Sequence, residues 1–429
     1  MSIDLKRRRF LGFTLGGGLA SFCAPRLSLG RDKTSRGARV VVIGGGFGGA
    51  TCARYLKHLD GSIQVTLIEP KNIYITCPMS NAVVAGMRPL ESLSVNYRRL
   101  RESGIRIITD TATAIDVAVR EVRLHSGTRL SYDRLLVSPG IELQYGTPEG
   151  YDRAASYLMP HAWKAGNQTV QLARKIRWMK DGGTVLIAVP PAPFRCPPGP
   201  YERASLIANY LKVHKPSSKV LILDANEKFS KQSLFQAAWK ALYDGLVEWI
   251  PLSADGKVMR VDAKKMKVYT ELEEHSPAVA NIIPAQRAGQ IAVDAGLTDT
   301  TGWCPINPQT CESTRAPEVY VIGDACIADP MPKSASAANS QAKVCASAIV
   351  ASLQGLSVPD PSFHNTCYSL VAADYAISIT GSYRLEKGLL ASIPSAGGMS
   401  PSSAPSEHRQ REARYAQGWY DSILADSFG

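Results

Sequence analysis

Short apolar runs, punctuated by glycine-rich turns and helical stretches, set the architecture of this chain. Arg39–Ile43 is a β-branched run that reads as a buried parallel strand, and Ala50–Leu59 after it reads as a helix. Gln64–Ile68 is a second strand. Further along, Tyr132–Val137 and Glu318–Ile322 are apolar strands, and Gly183–Val189 followed by Tyr201–Lys212 repeats the strand–turn–helix order. Strands alternating with helices predict βαβ units on parallel sheets, an α/β chain. After the N-terminal segment no run approaches the roughly 18 apolar residues of a spanning helix. At 429 residues the chain is long enough for two or three folded units.

The first strand feeds directly into Gly44-Gly45-Gly46-Phe47-Gly48-Gly49, so that G-x-G-x-x-G falls on Gly44, Gly46 and Gly49. Such glycines allow a tight turn, close approach of a pyrophosphate and close helix–strand packing, with the phosphates at a helix N-terminus. The second strand ends in Glu69, 20 residues after Gly49, where an acidic group suits ribose hydroxyls. FAD and NAD share this fingerprint. Glu318–Ala325 decides between them, because an apolar strand ending in Gly323-Asp324 resembles the second FAD motif of two-dinucleotide flavoproteins. Tyr132–Gly140 resembles the strand and turn that return the chain to a second domain. Three motifs in this order predict FAD and a glutathione-reductase-like pair of Rossmann-like domains, with a smaller α+β C-terminal domain.

The second strand–helix unit ought to bind a nicotinamide nucleotide. Its turn is Pro190-Pro191-Ala192-Pro193-Phe194-Arg195-Cys196-Pro197-Pro198-Gly199-Pro200, with six prolines and one glycine in 11 residues. Proline lacks the N–H that a phosphate-cradling loop requires, so this nucleotide site is read as lost. The same rigid loop carries Cys196, with Glu202 one turn into the next helix.

The N-terminus changes the picture of where the chain works. Arg7-Arg8-Arg9-Phe10-Leu11 precedes a short apolar, glycine-rich stretch, which resembles a twin-arginine export signal over residues 1–30. Cleavage near Ala24 and near Gly30 are both compatible with it, and the expected destination is the periplasm. That segment carries Lys6, Arg7, Arg8, Arg9 and Arg26 against Asp4, so its loss lowers the net charge from +12 to +8. The remaining basic residues are dispersed, which argues against nucleic acid and leaves room for an acidic protein partner. Nine cysteines include no C-x-x-C pair and no C-x-x-C-H, so this chain attaches no c-type haem and shows no zinc-ligand spacing.

Longer runs carry a more specific signal. Tyr74–Asn81, Leu158–Gly166, Ala192–Ser205, Gly302–Pro305, Ile322–Cys326, Met331–Ser334, Asn365–Ser369 and Trp419-Tyr420 together resemble the flavoprotein subunit of flavocytochrome c sulfide dehydrogenase over nearly the whole chain beyond the signal. The resemblance implies that Cys77 is bonded through sulfur to the flavin, and that Cys196 and Cys367 form a disulfide above its ring. It further implies that Glu202 is a proton acceptor beside them, and that Trp419 closes the pocket. Gly44, Gly46, Gly49, Glu69 and Asp324 are the remaining expected FAD contacts, and no metal site is expected. Two features depart from the family: Pro78 follows the attachment cysteine where an aromatic residue is usual, and Cys311 and Cys345 are extra.

The expected reaction is oxidation of hydrogen sulfide to sulfur or polysulfide through the disulfide and covalent FAD. Electrons then leave to a c-type cytochrome subunit, with haem only on that partner. The nearest alternative is a sulfide:quinone reductase; a further one is a non-catalytic flavoprotein scaffold. The Ser/Pro/Gly-rich stretch 392–406 and the charged Glu407–Arg414 weigh against a membrane dock. Expected domains are an FAD domain over 36–149 and 285–357, a second Rossmann-like domain over 150–284 and a C-terminal domain over 358–429. Cys52 and Cys345 read as packed thiols, Cys304 and Cys311 as a possible pair, Cys326 as a packed thiol near the flavin and His161 as a structural hydrogen-bonding group.

Overall fold

The computed structural model describes residues 37–429, which cluster as one compact unit. The export-signal reading, on residues 1–30, lies outside them. In chain order the elements that position the site are β1 (Arg39–Ile43), α1 (Phe47–Leu59), β2 (Gln64–Ile68), β3 (Arg106–Ile108) and β4 (Arg134–Val137). Next come β5 (Thr184–Val189), α2 (Gly199–His214), β6 (Lys219–Asp224), α3 (Gln232–Leu242), β7 (Val247–Ile250) and β8 (Val279–Ile282). The chain finishes with β9 (Val319–Val321), α4 (Ala335–Gln354), β10 (Ser362–Ala372), β11 (Tyr375–Glu386), β12 (Leu389–Ser392) and α5 (Ser406–Phe428).

Two parallel sheets form the frame. The first has order β9-β4-β1-β2-β3 and the second β7-β6-β5-β8. Both faces of these strands are covered, so β1 and β5 are almost uninterrupted runs of buried Val, Ile and Leu. Val41, Ile43, Leu135, Val185, Ile187 and Val220 belong to one continuous core that joins the two sheets. A third, antiparallel sheet is built on β10, β11 and β12, with α5 packed beside it. Here the period of two is visible. Phe363, Asn365, Ser369 and Val371 are buried while Ser362 and His364 are exposed. The α/β class with two Rossmann-like sheets and an α+β C-terminal part is therefore the observed fold.

The glycine turn behaves as its spacing requires. Gly44 has φ +96°, a left-handed conformation that glycine adopts without penalty. A Cβ on Gly49 would stand 1.9 Å from the Gly44 carbonyl oxygen, so the third glycine is what allows α1 to press against the turn. The helix begins earlier than the apolar pattern alone implies, at Phe47, because the turn's last residues already adopt helical geometry. α4 is alanine-rich where it packs on α1, and Ser334 Oγ caps it by accepting the Ala337 N–H at 3.0 Å. Among the described residues no helix is long and apolar enough to cross a membrane.

Candidate active site

A cavity of about 800 Å³ runs from the glycine turn to the third sheet. Gly44, Gly46, Glu69, Cys77, Cys196, Glu202, Asp324, Cys367 and Trp419 all line it. Of the expected site residues only Gly49 does not, and its place is behind the wall, closing α1 onto the turn. Residues from positions 43 to 419 thus converge on one space.

The mouth nearest α1 suits a dinucleotide. Gly44, Gly45, Gly46 and Gly48 line it, and the N-termini of α1 and α4 both face the cavity, presenting N–H groups to negative charge. Glu69 Oε2 accepts the Gly45 N–H at 2.9 Å, which places its carboxylate at the turn. Two polar atoms on cavity-lining residues are buried without a hydrogen-bond partner among the described residues, Asp324 Oδ1 and Trp163 Nε1. A buried orphan costs free energy unless a ligand satisfies it. One acceptor, one donor, two helix N-termini and a glycine cradle fit FAD. Cys77 lies in the same wall with its Sγ 3.8 Å from the Trp163 carbonyl oxygen.

The far end holds the sulfur chemistry. Cys196 sits in the proline loop with φ +57°, a left-handed conformation uncommon outside glycine, and its N–H donates to the Lys333 carbonyl at 2.8 Å. Cys367 comes from β10. Burial pushes both thiols up, Cys196 well above the ordinary range, with the Cys367 sulfur close enough to raise it further. All eight described cysteines are free thiols, so the expected Cys196–Cys367 bridge is not formed in this structure.

Glu202 lies in the first turn of α2. Its Oε1 accepts the Leu370 N–H at 2.9 Å and its Oε2 accepts Asn81 Nδ2 at 2.8 Å. Burial raises its pKa above the usual carboxylate range, with the two hydrogen bonds and the Lys231 and Arg203 charges pulling the other way. Arg203, 2 % exposed, donates to Asn81 Oδ1, to the His161 and Ala162 carbonyls and to Asn281 Oδ1 at 2.7–2.9 Å. It thereby fixes the 160–163 loop beneath the cavity. Arg195 also donates to the Trp163 carbonyl, and the neighbouring Asp324 helps hold its charge.

His161 is a structural group. Its Nδ1 accepts the Trp163 N–H at 2.9 Å, and burial together with Arg203 drives its pKa down to about 3. Cys304 and Cys311 do not pair. Cys304 aligns with Cys326 across a short parallel ladder, whereas Cys311 is buried beside Cys345. Cys326 is also outside the cavity wall; its Sγ is spent on the Gly323 carbonyl and Gln341.

The second Rossmann-like sheet shows what became of its acidic strand end. Asp224 closes β6 where a ribose-binding acid would stand, yet it is fully buried. Its carboxylate accepts Tyr201 Oη at 2.6 Å, Trp249 Nε1 at 2.9 Å and Asn226 Nδ2 at 2.8 Å. The Tyr201 ring stacks on Phe229 at 3.7 Å, so the protein's own aromatics occupy this end of the sheet. Asp224, Arg203 and Lys231 were not marked by sequence spacing; an acid ending a second parallel strand was the one available signal.

Fold and cavity together define an FAD-dependent oxidoreductase of the two-Rossmann type. Residues 38–160 match the pyridine nucleotide-disulphide oxidoreductase family. Residues 169–284 match the central part of the sulfide dehydrogenase (flavocytochrome c) flavoprotein chain, and residues 359–428 match the flavocytochrome c sulphide dehydrogenase flavin-binding family. The sulfide dehydrogenase flavoprotein chain of Chlorobaculum thiosulfatiphilum is 69% identical over 45 residues, 10% of this chain and 94% of that one. Mouse mitochondrial sulfide:quinone oxidoreductase is 25% identical over 327 residues, 71% of this chain and 69% of that one. The sulfide:quinone oxidoreductase structure from Aquifex aeolicus superposes with TM-score 0.71 at 17% identity, covering 91% of each chain, which shows the shared fold. The chain belongs to the flavocytochrome c sulfide dehydrogenase flavoprotein family.

Proposed function

We propose that this FAD-dependent, sulfide-oxidising flavoprotein works through a Cys196–Cys367 disulfide and an FAD tethered to Cys77, and passes its electrons to a separate c-type cytochrome subunit. The observation that carries the reading is convergence. Two cysteines 171 positions apart, one from the proline loop and one from β10, line one cavity together with Cys77, the glycine turn and a buried carboxylate.

In the oxidised enzyme hydrosulfide attacks one sulfur of the bridge, leaving a persulfide there and a thiolate on the other cysteine. A second hydrosulfide takes the outer sulfur away as disulfide anion and restores the dithiol. Glu202, held by Leu370 and Asn81 beside both sulfurs, accepts the proton released as the thiols reoxidise. Arg195 and Lys231 supply positive charge that draws in the anionic substrate. FAD, when bound, supplies the two-electron acceptor that returns the dithiol to the bridge.

Nicotinamide is not the electron acceptor in this reading, because proline fills the second nucleotide turn and Asp224 is consumed by Tyr201, Trp249 and Asn226. The absence of C-x-x-C-H puts haem on the partner. Residues 1–30 are the twin-arginine signal, and the site of action is the periplasm. The relatedness to sulfide:quinone oxidoreductases supports a second reading in which a quinone takes the electrons.

Anaerobic stopped-flow reduction of the purified flavoprotein by sulfide tests the first reading. Wild type bleaches its flavin with sulfide, while Cys196→Ser and Cys367→Ser bleach only with dithionite. Wild-type rates in either serine variant would sink the disulfide relay. Turnover with a ubiquinone analogue and none with cytochrome c would transfer the assignment to the quinone enzymes.

A further inference from the structure

Lys231 immediately precedes α3 in a left-handed conformation, φ 62°, and is 3 % exposed. Its Nζ donates to Ser369 Oγ at 2.8 Å and to the Cys367 carbonyl at 3.3 Å, and it stands 5.9 Å from the Phe235 ring centre. None of these partners carries a full negative charge. Among the described residues Lys231 forms no ion pair, so a buried ammonium has only neutral contacts. Such a cation is costly to retain unless an anion appears beside it at some stage of the enzyme's cycle.

Three groups act on the Cys367 sulfur, Lys231 ahead of α3, Glu202 from α2 and Cys196 from the proline loop, and Arg195 acts on Cys196 beside it. Both Glu202 oxygens are engaged by Leu370 and Asn81, and burial favours its protonated form. Arg195 already shares the neighbourhood of Asp324, Cys77 and Tyr74, so its charge is answered elsewhere. The one carboxylate within reach of Lys231 in this cluster is Glu202, which burial holds toward its neutral form, and Lys231 is the charge that most lowers the Cys367 pKa against the rise from burial.

We infer that Lys231 is the built-in counter-ion of a thiolate on Cys367, and that it directs hydrosulfide to attack Cys196. This rests on the disulfide reading above. The hydrosulfide sulfur bonds to Cys196 Sγ, the Cys196–Cys367 bond breaks, and its electron pair goes to Cys367 Sγ. Cys196 then carries –SSH with the hydrosulfide's own proton, Cys367 carries the negative charge, and no further oxidant is consumed. Attack in the other sense would leave the thiolate on Cys196, whose pKa burial raises further and on which Lys231 acts less than Arg195, whereas the Lys231 ammonium is hydrogen-bonded to the Cys367 backbone itself. Lys231 acts through Cys367 and is a positioning residue.

Two measurements on the flavin-loaded protein test this. In the first, without sulfide, the bridge is reduced with a phosphine, and iodoacetamide alkylation of each cysteine is followed from pH 5 to 10 by peptide mass spectrometry. Lys231→Met is expected to move the Cys367 midpoint up by at least one pH unit, slowing its alkylation at pH 7 about tenfold, with a smaller change at Cys196. Lys231→Arg restores the wild-type midpoint, which a merely structural role would not predict. An unmoved Cys367 midpoint, or a larger shift at Cys196, overturns the pairing. In the second, wild type receives less than one equivalent of sulfide and is trapped by alkylation, so no variant needs to fold. Persulfide on Cys196 supports the inference and persulfide on Cys367 overturns it. Persulfide on neither cysteine sinks the relay itself and the direction of attack with it, while the sulfide-free titration still decides the Lys231–Cys367 pairing.

Discussion

Glu202 Oε1 accepts the backbone N–H of Leu370 at 2.9 Å, a single bond between residues 168 positions apart. Through it the helix that follows Cys196 is tied to the strand that bears Cys367. The carboxylate fastens β10 to α2, and in the proposed reaction it has a second, separable role as the proton acceptor.

Glu202→Gln separates them. Glutamine keeps an oxygen for Leu370 but cannot take a proton, so thermal stability should hold while sulfide-dependent flavin reduction falls by about 10²–10⁴-fold. The wild-type rate should rise with pH through a midpoint above the ordinary carboxylate range, since a raised pKa delays formation of the base. That limb should vanish in the glutamine variant. A Gln variant with the wild-type rate and pH profile would remove Glu202 from the reaction.

Cys77, which follows the strand Ile73–Ile75, lines the cavity together with Cys196 and Cys367. Cys77→Ser should still fold and bind FAD, because the turn, Glu69 and Asp324 are untouched. Acid precipitation should then leave the flavin in solution, whereas the wild-type pellet stays yellow and its mass includes the flavin. Flavin retained on the serine variant would refute attachment at this residue.

His161 links stability to pH. In the folded protein its pKa is depressed to about 3, so folding favours the neutral ring. The stability it contributes is present above the unfolded value of about 6.5 and is lost as pH falls toward 3; complete loss of this preference would amount to at most about 5 kcal/mol. Melting temperature should drop between pH 7 and pH 4. His161→Asn, which can still accept the Trp163 N–H, should flatten that slope. An equally steep slope in the variant would assign the effect to other groups.

Arg203→Lys tests the loop beneath the cavity. A lysine offers one point charge where the guanidinium serves Asn81, Asn281 and two carbonyls at once, so several buried acceptors lose their donors. A loss of about 3–5 kcal/mol is expected by chemical denaturation. A change below about 1 kcal/mol would mean that the 160–163 loop is held by something else.

The local pattern sufficed wherever the physics is local. β1 and β2 were readable residue for residue, because buried parallel strands tolerate little but β-branched and aliphatic side chains. Gly44 and Gly49 were readable because a left-handed turn and a 1.9 Å clash leave room for nothing larger. Cys196 and Cys367 were singled out by resemblance, since neither spacing nor composition relates two sulfurs so far apart.

Sequence by itself determined the βαβ frame, the dinucleotide turn and the loss of a glycine loop at the second unit, since backbone geometry constrains those positions one turn at a time. Only the tertiary structure decided that Lys231 lies buried against Cys367, that Asp224 is answered by Tyr201 and Trp249, and that Cys304 aligns with Cys326 instead of pairing with Cys311. Those relationships arise when separate elements close on one another. A charge or a thiol has no preferred partner in an extended chain; desolvation in the packed cavity gives it one.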